Sequence, residues 1–198
     1  MPARSGIRIG IGLPDRLRPE AVALYWQAFG SKLGTVMGPE RKALRFLDRV
    51  MRAENCIYAQ DAAGRLLGIV GFKTPQGSFA GGEISDMLAI YGVLGTAWRL
   101  PLLWMLEGDI DNARFLLDGI CVAQAARGQG VGTHLLDAIE AEGRLRGYVG
   151  VRLDVIDSNF RAKALYARQG YVAEKTDDIG VLRFVFGFQS STTMVKPF

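Results

Sequence analysis

The chain has 198 residues, of which 49% are hydrophobic and 22% charged, and a formal net charge of +4. That length suits one domain, and this much apolar material can build a core without disulfide or metal staples; it excludes a disordered tail or linker protein. The basic excess is spread out, as in Arg41, Lys42, Arg45, Arg49 and Arg52; it forms no arm for nucleic acid and marks either a solvated helix face or a field that attracts an anionic ligand.

Cys56 and Cys121 stand far apart in apolar runs, and His134 is the single histidine. No zinc set of the usual Cys/His kind can be assembled from these, so no metal is expected. Reduced, buried thiols fit a cytoplasmic protein, although sequence alone leaves a disulfide open. The first thirteen residues contain Arg4 and Arg8 but no apolar core of signal-peptide length.

In chain order, residues 7–12 (IRIGIG) predict a first strand. Pro14 and Pro19 punctuate a turn, and Pro19 suits the first turn of a helix running to about Phe29. A second helix starts near Pro39 and carries Leu44, Leu47, Val50 and Met51 on one face. A hairpin follows: CIYAQ, a turn from Asp61 to Gly64, and LLGIVGF up to Lys73. Residues 79–110 form an apolar insertion. It has no charge from Met87 to Trp98, but Gly92, Gly95, Arg99 and Pro101 interrupt it. A membrane span needs about 20 unbroken apolar residues, so two short, largely buried helices are expected and membrane insertion is not.

The second half is more regular. FLLDGICV (115–122) reads as a buried strand, followed by a glycine-rich turn and a helix from Val131 to Arg146 closed by Gly147. VGVRLDVI (149–156) predicts the next strand. Asp157 or Ser158 caps a further helix to Arg168, which stops at Gly170. Closing strands are expected at Tyr171–Glu174, with a continuation near Phe184–Phe186, and at Thr192–Val195. This order implies an α/β fold: a mixed sheet with helices on both faces.

The segment Val122-Ala-Gln-Ala-Ala-Arg127-Gly128-Gln129-Gly130-Val131-Gly132-Thr133 carries the most chemistry. A strand runs into a turn with three glycines on alternate positions, which opens directly into a helix. Amides at a helix start lack partners and carry partial positive charge, and glycines let an anion approach them. Arg127 adds a full charge, so amides and guanidinium would hold a pyrophosphate together. A tight turn with no ligand would use the same residues. A nucleoside-triphosphate loop is excluded because no Gly-x-x-x-x-Gly-Lys-Ser/Thr string exists. Gly10-Ile-Gly12 follows the first strand, but Pro14 and Asp15 replace the rest of a dinucleotide fingerprint.

Arg127-Gly128-Gln129-Gly130-Val131-Gly132 resembles the Arg/Gln-x-x-Gly-x-Gly/Ala signature of the GNAT acetyltransferases, with its preceding strand and following helix. The run from Leu153 to Tyr171, including Asn159, Ala162, Leu165, Tyr166 and Gly170, resembles the family's second motif. The likeness is strong over residues 114–172, weak over 55–75, and does not extend to the insertion. It implies a single-domain GNAT fold, with a central mixed sheet of about six to seven strands and a helical insertion before the fourth.

What the resemblance implies for chemistry is specific. Strands 115–122 and 149–156 would splay, and the pantetheine arm of acetyl-CoA would lie between them, pairing with the backbone around Ile120, Cys121 and Val122. Gly128, Gln129, Gly130, Val131, Gly132 and Thr133, with Arg127, would hold the pyrophosphate. Asn159 would make a second contact to the cofactor arm. Tyr166 matches the family's general acid, because a phenol of pKa about 10 is still protonated at neutral pH; its helical face shared with Ala162, Leu165 and Gln169 equally suits a core tyrosine. Asp118 alternates with Ile120 and Val122, so it would face the cofactor as a general base; local pairing of its carboxylate is the other reading.

The insertion, through Met87, Tyr91, Trp98, Trp104 and Met105, would roof the acceptor cleft, cover a sheet edge, or form a homodimer contact. Glu107, Asp109 and Asp111 would attract a cationic amine or simply line a solvated loop. These features predict an acetyl-CoA-dependent N-acyltransferase acting on an amine of a small molecule or protein. A catalytically silent acyl-CoA-binding module and a membrane-surface protein docking through 84–106 are the alternatives.

Overall fold

The central strands of this protein have two faces to bury, and the alternation of their side chains sorts them between two helical layers. In the computed structural model, which describes residues 6–104 and 113–198, β2 (Cys56–Gln60) turns Ile57 and Ala59 to one side of the sheet and Cys56 to the other. β3 (Leu66–Thr74) does the same with Val70 and Phe72 against Ile69. With β1 (Arg8–Ile11), β4 (Gly77–Ser78), β5 (Phe115–Val122), β6 (Gly150–Ile156), β7 (Val172–Asp178) and β8 (Ser190–Pro197), these make one eight-stranded mixed sheet. Its order is β1-β2-β3-β5-β6-β8-β7, with the two-residue β4 on β3. Among the described residues the β5–β6 pair is parallel and every other pair antiparallel.

On one face, α4 (Val131–Leu145) packs Leu135, Leu136 and Ile139 against Ile57, Val70, Phe72, Phe115, Val151 and Leu153. On the other, α1 (Arg18–Met37) sets Ala21, Val22, Leu24 and Tyr25 over Cys56, Ile69 and Cys121. α2 (Glu40–Val50) buries Ala43, Phe46, Leu47 and Val50, with Leu44 half-buried and Met51 buried just beyond its end. Its polar face holds exposed Arg41, Lys42, Arg45 and Arg49, a solvated face on which Arg49 pairs with Asp86 at 2.6 Å.

The insertion folds as α3 (Ile84–Trp104), broken at Gly92 (φ 70°, ψ 177°) into two helical arms as the interrupted pattern predicts, but the arms are not largely buried: Met87, Tyr91 and Thr96 are, while Ile84, Leu88, Val93, Leu94 and Trp98 are exposed. Arg99 ties it to α1. Its guanidinium donates to the carbonyls of Val36 (2.6 Å), Gly38 (2.9 Å) and Gly95 (2.8 Å) and lies over the Tyr91 ring, whose hydroxyl donates to Met37 O at 2.5 Å. The last carbonyls of a helix lack partners and sit at its negative end, so a cation there is well placed. This docking explains why α1 runs on to Met37 rather than ending near Phe29. Among the described residues no helix is long and apolar enough to cross a membrane.

Two further expectations are corrected. Phe184–Phe186 is not a strand: α6 (Arg183–Phe186) is a short helix that buries Phe186 against Val36 and Leu182. Neither Asp157 nor Ser158 caps α5 (Phe160–Arg168); Asn159 does, its side chain accepting from Ala162 N at 3.3 Å. Asp157 instead accepts from the amides of Ser158 (2.8 Å) and Gln189 (3.1 Å), bracing the turn before β8.

Candidate active site

β5 and β6 pair at only two positions, Phe115↔Val151 and Leu116↔Arg152. Beyond them the parallel strands diverge. β5 keeps its antiparallel partner β3 as far as Gly68↔Val122, so among the described residues one edge of β5 from Leu117 to Val122 has no paired strand. Backbone groups along such an edge are donors and acceptors in search of partners.

The other irregularity in β5 lies at Asp118. Phe72 pairs with Leu117 and Gly71 with Gly119, so Asp118 is an extra residue, a β-bulge. The bulge shifts the phase of the strand. Phe115 and Leu117 pack into the α4 layer, and so do Ile120 and Val122. Gly119 faces α1, where a Cβ would lie 2.9 Å from the Phe29 ring. Asp118 therefore does not share a face with Ile120 and Val122, as simple alternation suggests. Its carboxylate is half-buried on the α1 side and accepts from Ala80 N at 3.2 Å. Burial pushes its pKa up, while Lys73 and the amides of Ala80 and Phe79 pull it down.

After β5 the turn places Gly128 (φ 76°) and Gly130 (φ 82°) in the left-handed region, where L side chains are strained. Gly130 is the N-cap of α4, so the amides of Val131, Gly132 and Thr133 have no carbonyl one turn before them. Gly132 is needed for a different reason: a Cβ there would lie 3.0 Å from Leu165 of α5. Arg127 Nε donates to Val122 O at 3.2 Å, across the open end of β5. Gln129 turns back to donate to Ala125 O at 2.7 Å, and His134 Nδ1 sits 2.9 Å from Gly130 O.

The divergence and the turn join in a groove of about 920 Å³. Ile120, Cys121 and Val122 line it from β5, Arg127, Gly128, Gly130, Val131, Gly132 and Thr133 from the turn, and Asn159 and Tyr166 from α5. Of the residues expected to catalyse the reaction or hold the cofactor, all but Asp118 and Gln129 line it. Three cations that sequence reasoning missed do: Lys32 of α1, and Arg161 and Arg168 of α5. The spacing of Arg161 and Arg168, two helical turns on one face, was readable; Lys32 was not, since it needs α1 at full length. Bare amides, left-handed glycines and four cations along the groove suit a ligand carrying several phosphates.

Tyr166 is buried at 5% exposure, its ring tilted 6.0 Å from that of Tyr171. Burial, and next the proximity of Cys121, raise its pKa above the ordinary phenol value. Asn159 is committed to capping α5, so Asn159→Ala is expected to cost about 1 kcal/mol of stability, measured by chemical denaturation.

A second cavity, of about 1250 Å³, lies between α1, α2 and α3 and meets β5 at Asp118. Leu33, Met37, Phe46, Leu47, Met87, Leu100 and Leu103 line it, with Tyr25 near its floor and Lys73 and Glu83 as its other charged groups. The insertion thus contributes a wall of this cavity. Met105, Glu107, Asp109, Asp111 and the Trp104 side chain, expected beside the acceptor, lie outside the described residues.

Residues 19–171 match the model of the acetyltransferase (GNAT) family. The chain belongs to the GNAT family. An N-acetyltransferase from Staphylococcus aureus Mu50 has a similar structure, with a TM-score of 0.65 at 13% identity, over 96% of this chain and 100% of that one. A mosquito arylalkylamine N-acetyltransferase like 5b gives 0.63 at 20% identity, over 97% and 100%. A Bacillus anthracis acetyltransferase in complex with acetyl coenzyme A gives 0.50 at 14% identity, over 72% of this chain and 61% of that one. At these identities the structures establish the shared GNAT fold. No curated protein matches the chain.

Proposed function

We propose that this GNAT protein moves an acetyl group from acetyl-CoA directly onto a primary amine while both are bound. The observation that carries the reading is the parting of β5 and β6 after two residues, beside a helix start ringed by left-handed glycines. The open β5 edge offers backbone partners for the amides of the pantetheine arm. The turn amides, with Arg127, Lys32, Arg161 and Arg168, offer charge to its phosphates. When bound, acetyl-CoA supplies an acyl carbon already activated as a thioester.

The chain's own residues then have three tasks. The groove and the cavity hold donor and acceptor where they meet at β5, which removes much of the entropic barrier to their reaction. Asp118, half-buried and lining the acceptor cavity, receives the proton the amine sheds as its nitrogen bonds to the acyl carbon. Tyr166, held protonated by burial, gives its proton to the sulfur as the C–S bond breaks. A direct transfer needs no thiol nucleophile, and burial raises the pKa of Cys121. Two buried, unbridged cysteines fit a cytoplasmic setting. The exposed Val93, Leu94 and Trp98 of α3 are the surface through which a homodimer would form.

At a concentration about 100-fold above its Kd, acetyl-CoA is expected to raise the melting temperature by roughly 5–10 °C. Absence of a shift at millimolar cofactor would sink the reading. A shift without release of free thiol from any amine in a broad screen would identify a silent acyl-CoA-binding module instead.

A further inference from the structure

The cavity beside Asp118 has an unusual division of labour. Its walls are aliphatic and aromatic on three sides: Leu33 and Met37 from α1, Phe46 from α2, Met87, Leu100 and Leu103 from α3. Asp118 is a half-buried carboxylate, and it lines the cavity where this reaches β5, two residues before the Ile120–Val122 stretch that lines the donor groove. The amides of Ala80 and Phe79 donate to this carboxylate, whose two oxygens offer about four acceptor sites, so it keeps capacity for a further donor. Among the described residues, Lys73 and Glu83 are the other charged groups of the lining.

We propose that the acceptor is a hydrophobic monoamine: one ammonium or amino group directed at Asp118, and an apolar body lying against the α1, α2 and α3 walls. The inference rests on the acetyl-transfer reading and deepens it. Apart from what Glu83, Lys73, Ser78 and Ser85 can satisfy, a polyamine or an aminosugar would place its remaining charges and hydroxyls among methyl and ring groups, which is costly. An amine with a long apolar body instead gains from each carbon removed from water, and the cavity is larger than the roughly 300–1,000 Å³ typical of small-molecule sites. The insertion would thus set specificity by supplying one wall of the chamber.

The test has a kinetic arm and a binding arm. With saturating acetyl-CoA, kcat/KM is measured by thiol release for butylamine, hexylamine and octylamine, with spermidine and a short peptide N-terminus as competitors. Each added methylene is expected to raise kcat/KM about fourfold, and spermidine and the peptide should fall below butylamine. Flat values along the series, or a preference for spermidine or the peptide, would overturn the proposal. In the binding arm, calorimetry compares octylamine with 1-octanol, which has the same body and no charge, on protein loaded with CoA. Octylamine should bind at least tenfold tighter than octanol, and Asp118→Asn should erase that difference while leaving octanol unchanged. Leu100→Glu should weaken both ligands and spare the CoA-induced melting shift. If CoA gives no shift, the transfer reading fails by itself, and octylamine binding to the free protein still decides the cavity's chemistry. If CoA binds but neither octylamine nor octanol does, the cavity proposal fails and the donor site stands.

Discussion

Gly130→Glu is expected to abolish the rise in melting temperature caused by acetyl-CoA, while the free protein melts only roughly 2–8 °C lower. The two effects have separate origins. Gly130 has φ 82°, so any L residue there takes on left-handed strain, about 1–2 kcal/mol. Space is not the obstacle, since the nearest atoms to a Cβ belong to the His134 ring at 3.7 Å. Gly130→Ala isolates that backbone cost and should keep a reduced cofactor shift. Glutamate adds a negative charge at the N-cap of α4, where the proposed diphosphate would meet the amides of Val131, Gly132 and Thr133. Like charges at one anion site repel, and the side chain also fills the approach. A full shift retained by Gly130→Glu would show that phosphate is held elsewhere, and the reading of the turn would fail.

The stretch from β5 through α4 was legible to the residue at several boundaries because local signals there agree. An apolar run, left-handed glycines and an amphipathic helix all specify the same strand, turn and helix. The groove followed, since its residues cluster in two segments that meet wherever β5 and β6 lie side by side. What escaped the sequence depends on tertiary contacts. Gly30, Gly34 and Gly38 make the second half of α1 look like a loop, but the docking of Arg99 and Tyr91 on its last carbonyls keeps it helical. The apolar triplet at 184–186 fits either period, and the burial of Phe186 under α1 decides for helix. The β-bulge matters most for function. A strict period of two puts Asp118 with Ile120, and one extra residue moves it to the opposite layer, into the cavity walled by the insertion. Nothing in FLLDGICV announces that residue, because a bulge is a property of the pairing with β3 rather than of one strand. Of the two readings open for Arg41, Lys42, Arg45 and Arg49, the solvated helix face is the one observed on α2, and the cations along the groove come from α1, the turn and α5.

Tyr166→Phe is expected to lower kcat by on the order of 100-fold or more while leaving the acetyl-CoA melting shift and the KM for the amine close to those of the parent protein. The substitution removes one oxygen and keeps the ring in the α4-facing core, where it lies beside Tyr171. Packing should therefore change little, and the melting temperature of the free protein with it. Burial favours the neutral phenol, so Tyr166 stays protonated well past neutral pH and can serve as a donor throughout the ordinary assay range. The sign follows from that direction: loss of activity in the parent protein as pH rises should not come from Tyr166 until strongly alkaline conditions. A tyrosine that merely fills the core predicts the reverse pattern, a modest fall in melting temperature with kcat intact. Equal turnover by the two proteins would remove Tyr166 from the chemistry and leave water as the donor to the departing sulfur. An undiminished cofactor shift with turnover reduced tells apart a lost proton donor from a damaged groove, because Ile120, Val122 and the glycine turn are untouched by the change.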